Sequence, residues 1–155
     1  MISGMTLYES LLFVHIVCIA VWMGGGMVNA IFIKTAAGLT STAAIAPIAR
    51  RAHALGNMVF APASILALAT GIWLVIEGPW SFSDTWISIG FTGIIVAIVI
   101  GAVFHSKRGA RAVELAEADD LPALQQHLHG WVKLARVDLL LITLVILDMV
   151  VKPGT

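Results

Sequence analysis

Three long stretches without a formal charge leave this chain little choice of fold. Residues 10–33 form a run of 24, 52–76 a run of 25, and 85–106 a run of 22. A bilayer's hydrocarbon core is about 30 Å thick and takes roughly 20 apolar helical residues, so each run is long enough to cross it. A fourth stretch, 132–151, carries Lys133, Arg136, Asp138 and Asp148, but its centre, LLLITLVIL, is apolar apart from Thr143. Charges near the ends of a span cost less than charges at its middle. The pattern predicts an all-α protein, a four-transmembrane-helix up-and-down bundle with spans at 8–33, 57–77, 86–106 and 132–151. It is read as a single membrane domain over 1–155, with connections at 34–56 and 107–131.

Composition excludes other classes. The chain is 59% hydrophobic and 12% charged, whereas soluble domains average about 45–50% apolar and about 25% charged residues. Nine Lys and Arg against nine Asp and Glu give zero net charge, so there is no cationic excess for nucleic-acid binding. The single cysteine, Cys18, forbids an internal disulfide, and no zinc-ligand spacing is present. Nucleophile-elbow, P-loop, GxGxxG and HExxH patterns are missing, which leaves hydrolase and nucleotide-enzyme readings without support. The first run is not read as a cleaved signal, because no Lys or Arg precedes residue 34 and the run is too long.

Orientation follows from the basic residues. Lys34, Arg50, Arg51, Lys107, Arg108, Arg111, Lys133 and Arg136 fall on one side of the four spans, and Lys152 on the other. The positive-inside rule makes both connections cytoplasmic and puts both termini outside. Trp80, Trp86 and Trp131 then sit at interfaces, as aromatic belts do. Thr42 is expected to cap a short helix over 43–55, and 107–118 to extend the third span. Asp119-Asp120-Leu121-Pro122 reads as the start of a further helix reaching Gly130.

Each span carries a distinct face. Helix one groups His15, Cys18, Trp22, Gly25, Gly26 and Asn29, and polar groups in lipid turn toward the bundle interior. Helix two offers Ala63, Ala67, Thr70 and Gly71; helix three Gly90, Gly93, Ala97, Gly101 and His105. Small residues so spaced let helix backbones approach closely. Helix four aligns Trp131, Leu134, Asp138, Leu141, Val145 and Asp148. Packing accounts for all four stripes. The run Gly24-Gly25-Gly26 asks for more, since each glycine costs a helix up to about 1 kcal/mol. It implies a helix or a flat ligand pressed against the backbone.

The histidines separate by depth. His15 lies about 9 Å inside the outer boundary, and His53 and His105 about 3 Å inside the opposite one. His15 and His105 are thus roughly 18 Å apart along the normal, too far for one metal ion or haem iron to join them. His53 and His105 share a depth, with His127 and His129 in the adjacent connection, and the four read either as a metal or haem site or, more commonly beside arginines, as solvated interfacial groups. Asp148 matches His15 in depth, and first and last helices are neighbours in such a bundle. A His15–Asp148 contact is therefore expected, either orienting a ligating imidazole or simply stapling two helices. Cys18, Met23 and Met27 beside His15 suit Cu(I) by softness. The methionines point about 80–120° away from His15, which disfavours copper.

Val14-His15-Ile16 followed by Trp22 and Gly25 resembles the first helix of a family of small four-helix bacterial integral membrane proteins. That family is distantly similar to the membrane domain of copper-resistance protein D and to HemJ-type protoporphyrinogen oxidases. Pro62, Thr70-Gly71-Ile72-Trp73-Leu74 and Trp86 extend the likeness across all four spans. The resemblance implies His15 as a haem-iron ligand, with haem b as cofactor. The lysine those oxidases place early in helix three is absent from 86–106. This departure counts against protoporphyrinogen oxidation and leaves haem binding open. Two functions stand at this point. One is a redox bundle holding b-type haem with His15, Trp22, Gly25, Gly26 and Asp148, for electron transfer or tetrapyrrole- or copper-linked chemistry. The other is a non-catalytic accessory or assembly subunit, docked in a larger membrane complex or a homo-oligomer.

Overall fold

Thr6 opens the first helix. Its hydroxyl accepts a hydrogen bond from the Glu9 amide at 3.2 Å, and the Glu9 carboxylate accepts one from the Thr6 amide at 2.8 Å. This reciprocal box satisfies two donors that a helix start leaves open. In the computed structural model, which describes residues 5–154, the helix so started is α1, Leu7–Ala37. The next, α2 (Thr42–Leu55), runs through a π-helical turn at Gly56–Phe60 straight into α3 (Ala61–Glu77). In the same way α4 (Thr85–Val99) passes through a π turn at Ile100–His105 into α5 (Ser106–Glu117). The last helix, α6 (Leu121–Val151), is capped by the Asp120 carboxylate on the Ala123 amide at 3.1 Å, and Lys152 ends it at φ +49°.

The protein is all-helical, and no strand occurs among the described residues. Three rods, Leu7–Ala37, Thr42–Glu77 and Thr85–Glu117, are long and apolar enough to cross a membrane, and α6 packs along them as a fourth. The predicted connections differ in detail. Ser41, not Thr42, holds the cap position, and the Thr42 hydroxyl instead donates to the Asp119 carboxylate. Gly130 ends no helix, because α6 continues from Leu121 to Val151 as one piece. The glycine serves close approach: a Cβ there would lie 2.7 Å from Nη1 of Arg108.

Helix α1 packs against both α3 and α6, and α4 packs against α6 and α3. The rods close into a ring in which the first and last helices touch, as in an up-and-down bundle. Buried clusters succeed one another along the ring's axis. Val75, Trp86 and Ile87 fill one end, and Cys18, Trp22, Ala67, Ala97 and Ile142 the middle. At the far end Ile33, Ile45, Ala112, Leu124 and Trp131 join α2, α5 and the start of α6. At 1.5 Å per residue the 31 residues of α1 span about 46 Å, well beyond a bilayer core of about 30 Å. The surplus length lets the far-end cluster extend past the apolar spans.

Along α4 the small-residue stripe does two jobs. At Gly90 and Gly93 the terminal methyl of Met149 and a Val145 methyl occupy the space a Cβ would need, so α6 presses on the backbone there. At Gly101 nothing lies within 4 Å. The stripe is a helix seam in its first half and the wall of an open space in its second.

Candidate functional site

His15 turns toward α3. Its Nδ1 lies 2.9 Å from the carbonyl oxygen of Ala67 and 3.1 Å from Oγ1 of Thr70. The Thr70 hydroxyl has a carbonyl acceptor of its own, Leu66 O at 2.7 Å. Both atoms facing Nδ1 are then acceptors, so Nδ1 carries the proton and Nε2 keeps its lone pair. Gly71 lies alongside, where a Cβ would stand 3.3 Å from Cε1 of the ring. The expected contact with Asp148 is not made: among the described residues no hydrogen bond joins the two. Asp148 faces α4, its Oδ2 buried near Gly90 without a hydrogen-bond partner. Matching depth brought the two side chains level, but α1 has two neighbours and His15 faces the other one.

A second polar group lies toward the basic end. The indole N–H of Trp131 donates to Nδ1 of His105 at 2.8 Å, and Nε2 of His105 faces Oδ2 of Asp138 at 3.5 Å. The reading of His105 as a solvated interfacial residue does not hold. The histidine is half-buried, and Asp138 is only 8% exposed. His105, Asp138 and Trp131 line a cavity of about 130 Å³ together with Asn29, Trp22 and others. Three atoms there, Asn29 Oδ1, His105 Nε2 and Asp138 Oδ1, are buried without hydrogen-bond partners. Leaving such a group unpaired costs about 1–3 kcal/mol, and more where it is charged. Residues of both π turns, Gly56–Phe60 and Ile100–His105, also line this cavity. It lies where the middle cluster, with Trp22 and Ile142, meets the far-end one, with Ile33 and Trp131.

The five residues predicted as one cofactor site are thus distributed. Trp22 and Gly26 line the cavity, and His15 and Asp148 are not among its lining residues. Gly25 takes the edge of the Phe60 ring, which occupies the place of a Cβ. The glycine run does admit something flat against the backbone, and at Gly25 that is a ring from the π turn. Gly24 has open space around it. His53 reaches the cavity wall, His127 meets the carbonyl of Arg108 at 2.9 Å, and His129 the carbonyl of Gln125 at 2.7 Å. Among the described residues no group of three or more His, Cys, Asp or Glu converges to hold a metal ion. Sequence reasoning missed the pairing of His105 with Asp138. The signal was partial, in that Trp131 and Asp138 share a stripe seven residues apart and His105 ends the stripe of helix three.

No curated protein and no solved structure matches the chain. A family model described as "Predicted integral membrane protein (DUF2269)" matches residues 9–153, nearly the whole length. Its description agrees with the long apolar rods and with polar side chains gathered between them, and the chain belongs to this family of integral membrane proteins.

Proposed function

We propose that the protein is a four-span bundle of the bacterial inner membrane, with both termini outside, that holds b-type haem through His15. The fourth span is α6. Its charges do not face lipid: Lys133 and Arg136 stand at the basic end, while Asp138 turns to His105 and Asp148 lies against α4 at Gly90. The exposed residues from there on are Val137, Leu140, Leu144, Leu147, Val150 and Val151, all large and apolar, and Thr143, whose hydroxyl donates to the Leu139 carbonyl of its own helix. Eight of nine basic residues at one end support the orientation.

The observation that carries the haem reading is the held ring of His15. Metal-bound histidines regularly donate their other ring N–H to a carbonyl, which fixes the tautomer and the ring plane. Ala67 and Thr70 do this for His15, and its unprotonated Nε2 would hold the haem iron. When bound, haem supplies one-electron redox chemistry. The accessory-subunit reading draws on a different feature. Ala20 and Gly24 lie four residues apart on the exposed face of α1, and the space at Gly24 is open, as a helix-docking surface requires.

A visible spectrum of the detergent-purified protein, expressed with ample haem, tests the two. A Soret band is expected in the wild type and in His105→Ala, His127→Ala and Asp148→Asn. His15→Ala should lose it, and Thr70→Val should weaken it. A wild type without a Soret band removes the haem reading and leaves the accessory role.

A further inference from the structure

Asn29, His105 and Asp138 come from α1, the second π turn and α6, and their unpaired atoms share one cavity. The polarity of each group follows from its neighbours. An indole N–H only donates, so Nδ1 of His105 is the acceptor from Trp131, and the proton of the neutral ring sits on Nε2. That N–H faces Oδ2 of Asp138. Oδ1 of Asp138 and the side-chain oxygen of Asn29 remain as open acceptors, on residues only 8% and 9% exposed. No lysine or arginine lines the cavity, so the carboxylate has no cationic partner there. Trp22 and Trp131 line it as well, and indole rings attract cations. A cavity of about 130 Å³ has room for one small polyatomic cation with some water. Among the described residues no three His, Cys, Asp or Glu converge on the cavity, which leaves a divalent metal ion with few protein ligands there. Both π turns line the space, a backbone form that marks functional sites more often than chance.

We infer that this cavity binds a small monocation bearing N–H donors, ammonium or a short primary ammonium. The cation lies between the Asp138 carboxylate and the Asn29 side-chain oxygen. His105 stands beside the carboxylate, its Nε2 at 3.5 Å from Oδ2 of Asp138, and leaves Oδ1 open to the guest. The site is separate from His15 and does not depend on haem.

Isothermal titration calorimetry of the detergent-purified protein with methylammonium chloride is the test. Choline chloride keeps the ionic strength constant and serves as the cation without an N–H. Saturable heat is expected for methylammonium, with at least tenfold weaker binding of sodium, potassium and choline. Asp138→Asn should abolish the heat and Asn29→Leu should weaken it at least tenfold. Gly101→Leu places a side chain in the cavity while keeping all three polar groups, and it should also abolish binding. His15→Ala should bind as the wild type does. The proposal is overturned by any of three results: no saturable heat in the wild type (a cavity holding only water), sodium or potassium binding as well as methylammonium, or binding that survives Asp138→Asn or Gly101→Leu.

Discussion

Gly93 in α4 and Gly101 in the π turn that follows it look alike in sequence and have opposite surroundings. Gly93 lies under a Val145 methyl, and Gly101 has nothing within 4 Å of where its Cβ would be. Gly93→Leu should therefore lower stability by about 1–3 kcal/mol through overpacking. Gly101→Ala should raise it by about 0.5–1 kcal/mol, because it relieves the helix cost of glycine without a clash. Thermal melts in detergent read both, and a stable Gly93→Leu would mean that α6 does not press on α4 there. Trp131→Phe keeps the ring but removes the N–H that His105 accepts. A half-buried Nδ1 without a donor costs about 1–3 kcal/mol. The variant should melt earlier, and nitrogen NMR of His105 should report a tautomer no longer held as Nε2–H.

At the level of elements, the start of α6 is legible at Asp120, whereas no cap is read at Thr6 and the one before α2 is expected at Thr42 instead of Ser41. Thr6 with Glu9 and Asp120 with Ala123 are bonds between residues three apart, so adjacent sequence contains all the physics. Asp120→Ala should cost about 0.5–2 kcal/mol. The loss should appear as faster amide exchange over 121–124 while the middle of α6 keeps its protection. The two π turns were not readable. Each inserts into an otherwise continuous rod at the level of the cavity, and each meets a neighbouring helix there, Phe60 against Gly25 and His105 accepting from Trp131. A short pattern of apolar residues looks the same whether the helix is regular or widened by a turn. For the same reason 43–55 and 121–130 are expected as separate short helices, and the structure joins them to α3 and to the rest of α6, whereas the extension of the third span over 107–118 is found as expected.

For the molecule as a whole, membrane orientation is the property that charge alone predicts. In a Cys18→Ser background, a cysteine at the exposed Ser41 should be shielded from a membrane-impermeant thiol reagent in intact cells, and one at Ser83 should react. The reverse pattern would move His15 to the cytoplasmic half. Near the less basic end, Lys152 lies 4.0 Å from the ring centre of Trp80 and 5.2 Å from that of Trp86. This grouping of a cation with aromatic rings suits the boundary between lipid and water.

Uncharged run length determined by itself that this chain is a bundle of membrane-length helices, because crossing lipid is a constraint on consecutive residues. The charge asymmetry and the inward stripes came from the same local information. Which stripe meets which neighbour was decided only by the tertiary structure. His15 could face α3 or α6 at the same depth, and it faces α3, with Ala67 and Thr70. His105 and Asp138, 33 residues apart, meet because α4 and α6 pack side by side, and Trp131 on α6 then fixes the ring. Depth is a sum along one helix, so sequence carries it. Facing is a relation between helices, and it exists only once they pack.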